Sequence, residues 1–224
     1  MKKTPILMLV VVAMLSFGCE SQKKTTDQYN QDSKRTTQTD TQENQLTTEK
    51  MQLENPEKGD QIAVLETSLG TVKVRLFPEV APETVKNFEE LIKQEKYKQV
   101  PIHRIINNFM IQMGDFENGN GTGGYSYKGP GTTVKDEPSA KLEHLYGAVS
   151  MAKTAAPNSG GSQFFIVQNK NGTPHLDGVH TVFGQVIEGM DVIEKIANVK
   201  TDSMDAPVEN LYLKSASLSE YEGN

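Results

Sequence analysis

The sequence predicts a mainly β domain: a closed or nearly closed antiparallel barrel with two α-helices at its ends. Several short segments alternate apolar and polar residues, as half-buried strands do. Two longer segments carry apolar residues at helical spacing, and glycine is concentrated between the regular segments. Only part of the 224-residue chain has this character. We therefore expect one medium-sized domain rather than two.

The ordered region is predicted to begin at Gln61 with a β-hairpin. Residues 62–67 and 71–76 alternate in polarity, and a turn-prone Ser-Leu-Gly lies between them. An amphipathic helix is expected over about residues 82–95, because proline at 82 suits a first helical turn and apolar side chains follow at helical spacing. Further elements are strands at residues 148–151, 163–167 and 181–186, a helix at about 190–198, and a last strand near 208–215.

Residues 102–116 place one arginine, Arg104, and one glutamine, Gln112, among apolar residues at strand-like spacing. In a regular strand Arg104 would be buried on one face together with Ile102 and Ile106. Such a surface can hold a polar peptide bond in an apolar groove. The alternative is an edge-strand arginine whose charged end simply reaches water.

The first 60 residues predict an export signal followed by a tether. Residues 1–19 combine two lysines with an apolar stretch that is too short to span a bilayer, and a small residue precedes Cys19. Cys19 is the only cysteine, which excludes an internal disulfide. Its position resembles the lipobox of bacterial lipoproteins, in which this cysteine is lipidated; ordinary secretion is the alternative. Polar residues 20–60 predict a disordered linker, and residues 218–224 a C-terminal tail.

Charge and motif content argue against several classes of function. A formal net charge of -6 disfavours general binding to nucleic acid or anionic lipid. The four histidines do not stand at metal-ligand spacings, so no metal is expected. Residues 121–124 are rich in glycine but lack the lysine of a phosphate-binding loop. Seven glycines between Gly114 and Gly131 instead predict a long surface loop with a functional role.

Taken together, several segments resemble the cyclophilins, peptidyl-prolyl cis/trans isomerases built on an eight-stranded antiparallel barrel capped by two helices. The most specific are His-Arg-Ile-Ile from His103, with phenylalanine and glutamine five and eight places after the arginine, and Ser-Gln-Phe-Phe-Ile from Ser162. Residues 121–124 and 176–184 complete the pattern. The resemblance covers about residues 61–217, which is nearly all of the predicted ordered region.

The resemblance implies that Arg104 is the catalytic residue. It also implies a substrate groove formed by His103, Phe109, Met110, Gln112, Ala152, Gln163, Phe165, His175, Leu176 and His180. Strand alternation assigns the neighbouring Phe164 to the core. His175 and Met113 depart from the family pattern. His175 replaces a tryptophan associated with cyclosporin binding, which argues against affinity for that inhibitor. Met113 replaces a usual glycine, and we expect it to narrow the groove or alter its specificity.

The implied chemistry fits these residue types. An X-Pro bond isomerises over a barrier of about 18–20 kcal/mol, and no bond to carbon is made or broken, so neither a nucleophile nor a cofactor is needed. A guanidinium that donates to the proline nitrogen favours the twisted amide over the planar one. We therefore predict a monomeric isomerase that acts on proline-containing segments of exported proteins outside the cytoplasm, tethered to a bacterial membrane through Cys19. A proline-segment-binding chaperone module with little turnover and a histidine-dependent metalloenzyme are the alternatives.

Overall fold

The computed structural model describes residues 51–223, in which eight strands close into one antiparallel barrel. Around the barrel the strand order is β1-β2-β7-β5-β6-β4-β3-β8, and β8 returns to pair with β1. The strands are β1 (Gln61–Thr67), β2 (Gly70–Leu76), β3 (Val100–Ile106), β4 (Met110–Met113), β5 (Ala148–Met151), β6 (Phe164–Val167), β7 (Val182–Glu188) and β8 (Tyr212–Glu220).

Two amphipathic helices accompany the barrel: α1 (Pro82–Lys93) and α2 (Met190–Ala197). A short 3₁₀ helix, Pro174–Leu176, lies between β6 and β7. The predicted fold class, an eight-stranded antiparallel barrel with two helices, is confirmed. The predicted signal peptide, Cys19 and most of the predicted linker lie outside the described residues. No helix within residues 51–223 is long and apolar enough to cross a membrane.

The packed domain is longer than predicted at both ends. Residues 51–53 are helical and Gln52 is buried, although the polar composition of this segment predicted a disordered linker. The last strand begins later than predicted and continues to Glu220, because its pairing partner is the whole of β1, from Gln61 to Thr67. The buried Tyr221 then joins the two ends of the domain: its backbone N–H donates to the Asp60 carbonyl oxygen, and its carbonyl oxygen accepts the Gly59 N–H.

Alternate residues of the strands form two apolar clusters on opposite faces of the sheet. The interior cluster includes Phe164, which packs with Phe88 of α1 at a ring-centroid distance of 5.3 Å. The outer cluster includes Phe165, Met110 and residues of the neighbouring strands. The assignment of Phe164 to the core and of Phe165 to the opposite face is confirmed. The outer cluster provides an apolar base on which a binding site can form.

Strand β3 contains a β-bulge that changes the direction of Arg104. Ile102 pairs with Met113 and Arg104 with Gln112, so His103 is the extra residue. Ile102 therefore faces the core, whereas the Arg104 side chain is 44% exposed. The prediction that Arg104 is buried on the same face as Ile102 is wrong, because the bulge shifts the alternation by one residue.

Candidate active site

A groove of about 430 Å³ lies on the outer face of the barrel. Strand register aligns three of its residues in one row: Arg104 on β3 is opposite Gln112 on β4, which is opposite Phe165 on β6. Neighbouring strands are only about 4.8 Å apart, so a cation, an amide and an aromatic ring lie side by side. Nine of the eleven predicted catalytic and substrate-binding residues line this groove: Arg104, Phe109, Met110, Gln112, Ala152, Gln163, Phe165, Leu176 and His180.

The apolar part of the groove is formed by Phe109, Met110, Phe165 and Leu176. Met110 and Phe165 are almost completely buried, so they provide a fixed floor. Phe109 lies in the tight turn between β3 and β4, where Asn108 adopts a left-handed φ of 60°. Asparagine tolerates this conformation better than most residues. The sequence therefore places an aromatic side chain on the edge of an otherwise rigid pocket.

Two predicted groove residues, His103 and His175, do not line the groove. His103 lies behind it: a β-carbon added to Gly121 would be 3.1 Å from the His103 ring. Both ring nitrogens of His103 are buried and make no hydrogen bond with the described part of the chain. Burial lowers the pKa of His103, although the Asp115 carboxylate partly opposes this change. His175 stacks on Phe109, with ring centroids 5.8 Å apart. Both histidines thus support lining residues.

A chain of amide hydrogen bonds fixes the polar part of the groove. Nε2 of Gln163 donates to the carbonyl oxygens of Gly121 and Gly123, at 3.0 and 2.8 Å. If the Gln163 amide were rotated by 180°, its Oε1 would face the carbonyl oxygens of Gly121 and Gly123, and two acceptors would repel each other. Oε1 of Gln163 must therefore point to Gln112. Nε2 of Gln112 donates to that oxygen at 2.8 Å. This arrangement leaves Oε1 of Gln112 as the side of the amide that can accept a hydrogen bond from a ligand.

Arg104 is anchored by a residue that the sequence did not indicate. Its Nε lies 3.4 Å from Oδ2 of Asp205, in the connection between α2 and β8. The backbone N–H of Ile105 donates to the Asp205 carbonyl oxygen at 2.8 Å, which places the two segments side by side. Asp205 has a left-handed φ of 65°. Local sequence around Asp205 predicts a turn, but its proximity to Arg104 depends on barrel closure.

Asp115 organises the glycine-rich loop beside the groove. It is fully buried, and its carboxylate accepts backbone N–H groups from five residues: Glu117, Asn118, Asn120, Gly121 and Gly123. Burial by itself would raise the pKa of Asp115, but these donors hold it below its ordinary value. The loop then packs closely at Gly124, whose φ is 92° and where a β-carbon would clash with Ser162 Oγ. The predicted functional loop is thus ordered against the groove.

Met113 and Lys153 occupy different places relative to the groove. Met113 is fully buried in the interior cluster, so the prediction that it narrows the groove is wrong. Lys153 lines the groove and forms an ion pair with Asp136, with Nζ and Oδ2 3.3 Å apart. Its charge is therefore partly compensated. Of these two residues, Lys153 is the one that contacts the space available to a ligand.

Beneath the floor lies a buried network that sequence reasoning missed. Nδ1 of His144 is 2.7 Å from Oδ1 of Asp177, and Nε2 is 2.9 Å from Oγ of Ser150. Burial lowers the pKa of His144, although Asp177 partly opposes the change. Nδ1 donates to Asp177, because a carboxylate can only accept, and the Ser150 hydroxyl lies between Nε2 and the Thr181 carbonyl oxygen, which is 3.1 Å from Oγ. The imidazole stacks on Phe165 with centroids 5.9 Å apart.

This arrangement contains the residue types of a hydrolase triad, but its geometry does not fit nucleophilic catalysis. Ser150 is completely buried and does not line the groove. A hydroxyl in that position cannot reach the carbonyl of a bound peptide. The network instead supports Phe165 and His180, since the rings of His144 and His180 meet edge to face at 6.3 Å. Within residues 51–223 no group of three His, Cys, Asp or Glu side chains could hold a metal ion.

The profile of the family described as cyclophilin type peptidyl-prolyl cis-trans isomerase/CLD matches residues 62–218, more than half of the chain. The chain is a cyclophilin. A Staphylococcus epidermidis protein named as a peptidyl-prolyl cis-trans isomerase is 41% identical over 183 residues, which are 70% of this cyclophilin and 91% of the relative. A Staphylococcus aureus protein with the same name is 38% identical over 190 residues, or 73% and 94% of the two chains.

Solved structures agree with this assignment. A Cryptosporidium parvum cyclophilin type peptidyl-prolyl cis-trans isomerase, crystallised in the presence of the dipeptide Ala-Pro, has a TM-score of 0.67 and 31% identity. The match covers 71% of this cyclophilin and 99% of that chain. A second structure of the C. parvum protein has a TM-score of 0.68 and 32% identity, covering 72% and 98% of the chains. The protein is therefore an enzyme, a peptidyl-prolyl isomerase of the cyclophilin type.

Proposed function

We propose that this cyclophilin uses Arg104 to accelerate X-Pro isomerisation in exported proteins, outside the cytoplasm. The observation that carries the catalytic assignment is the row of Arg104, Gln112 and Phe165 across three neighbouring strands of one groove. It provides a cation, a hydrogen-bond acceptor and an apolar floor on three neighbouring strands. The C. parvum structure obtained with Ala-Pro supports a proline-containing peptide as the ligand.

Each part of the row has a separate task. The proline ring rests on Phe165 and Met110, where burial of apolar surface holds it in place. Oε1 of Gln112 accepts a backbone N–H and stops that side of the peptide from turning. As the amide twists, the proline nitrogen regains a lone pair, and Arg104 donates a hydrogen bond to it. This interaction is stronger in the transition state than in the planar ground state, so it increases the rate.

The proposed location rests on the sequence of the N-terminal region. The lysines, apolar stretch and Cys19 of residues 1–19 support export and lipid attachment, and the polar composition of residues 20–50 supports a tether. Uncatalysed isomerisation takes about 10–100 s, so exported proteins that fold near the membrane would benefit from an isomerase there. Measuring the mass of the mature N-terminus tests this part: a lipid-modified Cys19 is expected, and an unmodified or uncleaved N-terminus contradicts it.

The catalytic assignment is tested with Arg104→Ala in a protease-coupled isomerisation assay. Loss of one preorganised donor to the transition state should lower kcat by about 10²–10³-fold while the affinity for a proline peptide changes little. Arg104→Lys keeps the charge but not the rigid fork of donors, and should recover only part of the rate. Lys73→Ala removes an exposed positive charge on β2, outside the groove, and is the matched control.

Two outcomes would contradict the assignment. Folded Arg104→Ala with the wild-type kcat would show that Arg104 is not catalytic. A loss of peptide affinity that accounts for the whole fall in rate would show that the residue binds rather than catalyses, as expected for a chaperone module. Melting temperatures of all variants separate both outcomes from unfolding.

A further inference from the structure

The chain immediately before the barrel lies against its outer surface, behind the groove. We call residues 51–54 the strap. We propose that the strap is a positioning element of the active site: Gln52 holds the backbone of Glu143 in place, and this backbone keeps His144 beneath the groove floor. The inference rests on the proposed assignment of the groove as the catalytic site.

Gln52 makes a set of contacts that is unusual for a residue outside the barrel. It is completely buried, and its amide pairs with both backbone groups of Glu143. Nε2 donates to the Glu143 carbonyl oxygen and Oε1 accepts the Glu143 N–H, each at 2.9 Å. Nε2 also donates to Oε1 of Gln185 on β7 at 3.0 Å. Because an unpaired buried amide is costly, these groups fix one another in a single arrangement.

The strap backbone is held independently of Gln52. Nη1 of Arg75 donates to the carbonyl oxygens of Met51 and Glu54, at 3.2 and 2.8 Å. The Arg75 guanidinium also lies 5.0 Å from the centre of the Phe77 ring, which belongs to the outer cluster. Met51 packs against the same cluster. The strap is therefore attached to β2 and to the apolar base of the groove, and it presents Gln52 to Glu143 in a defined direction.

The path from Glu143 to the groove is short. The next residue, His144, donates its backbone N–H to Oδ1 of Asp177 at 2.8 Å, while its imidazole is held at both nitrogens. That imidazole stacks on Phe165 and meets the ring of His180, and both of these residues line the groove. A displacement of the Glu143 backbone therefore displaces the support of the floor. One peptide unit and one imidazole separate Gln52 from the groove-lining rings.

A purely structural role for Gln52 makes a different prediction. In that case its loss lowers the free energy of unfolding, but each folded molecule retains full activity and an unchanged His144. In the positioning role, the folded molecule itself changes: the rate falls, and water reaches the imidazole. Since burial is what lowers the pKa of His144, a loosened site raises this pKa towards its ordinary value.

The experiment uses the full-length protein with Gln52→Met, which keeps the side-chain length but removes its hydrogen bonds. We expect kcat/KM per folded molecule to fall about 3- to 10-fold, because small displacements of groups that position a substrate are costly. An NMR titration should show an increased pKa for His144. Leu53→Ala, at the adjacent and half-exposed strap position, is the matched control and should change neither quantity. Circular dichroism at the assay temperature gives the folded fraction.

A second variant covers the case in which Gln52→Met does not fold. Arg75→Met, at a partly exposed position, releases the strap backbone and should change both quantities in the same direction. Wild-type kcat/KM and His144 pKa in the folded variants would overturn the proposal, as would a fall in activity that only follows the unfolded fraction. Failure of the groove assignment has a different signature, namely an active Arg104→Ala protein.

Discussion

Removing the Asp205 side chain should show how much of the catalytic rate depends on holding Arg104 in position. Asp205→Gly is the appropriate change, because the residue has a left-handed φ of 65° that glycine adopts without strain. Asp205→Asn tolerates the same backbone conformation and keeps an oxygen acceptor for Nε of Arg104. The first variant therefore abolishes the anchor, and the second retains part of it.

The size of the effect follows from the geometry of the pair. Nε and Oδ2 are 3.4 Å apart and each side chain is 44% exposed, so water screens the interaction and its contribution to stability is at most about 1 kcal/mol. An unrestrained arginine carries about 2 kcal/mol of rotamer entropy. If Asp205 removes a third to a half of this before substrate binds, its loss raises the activation free energy by about 0.7–1 kcal/mol. The corresponding fall in kcat/KM is about 3- to 5-fold.

Protease-coupled kinetics on a proline tetrapeptide would measure this change. Asp205→Asn should give an intermediate rate. Glu188→Ala is the control, because it removes a similarly exposed ion pair, with Lys73 at 2.8 Å, on other strands. If folded Asp205→Gly retains the wild-type kcat/KM, or if Glu188→Ala reduces it equally, Asp205 does not position Arg104 for catalysis.

Three other perturbations examine the supports of the groove. Asp115→Asn removes a carboxylate that accepts five backbone N–H groups, and urea denaturation should show a loss of about 3 kcal/mol; a loss under 1 kcal/mol contradicts the assigned role. Burial lowers the pKa values of His103 and His144 from 6.5, so the unfolded chain binds protons that the folded chain does not. The free energy of unfolding should therefore fall as the pH decreases below about 6.5, by up to about 1.4 kcal/mol per pH unit for each histidine, and a flat profile between pH 5 and 7 would be inconsistent with this. Phe165→Leu should lower kcat/KM about 10-fold with a modest loss of stability, whereas Phe164→Leu should lower stability without changing the activity of the folded enzyme; the opposite pattern would reverse the assigned faces.

Local sequence pattern predicted several regular elements well. The predicted strand at residues 148–151 coincides with β5, and the predicted helix begins at Pro82 as observed. Prediction failed where one residue interrupts the pattern. The bulge at His103 has no local signal that distinguishes it from a regular strand, because it arises from how β3 pairs with β4.

Long-range pairing accounts for the remaining differences. Gln52 and Glu143 are 91 positions apart, and Arg104 and Asp205 are 101 apart. Neither Gln52 nor Asp205 belongs to a segment of apolar periodicity or to a recognised motif. Their functional relevance becomes visible only when barrel closure and the docking of the strap place their side chains against distant backbone. The exposure of Arg104 likewise depends on strand register and not on its neighbours in sequence.

Hydrophobic periodicity was enough to predict the fold class, and the resemblance to the cyclophilins implied the nine residues that line the groove, because periodicity and motif spacing are local properties of the chain. Tertiary contacts determine which way Arg104 points, that His103 and His175 do not line the groove, and that Met113 faces the interior. They also determine that Asp205, His144 and Gln52 surround the site. These properties depend on register and on contacts between distant segments, and such contacts exist only after the strands have closed into a barrel.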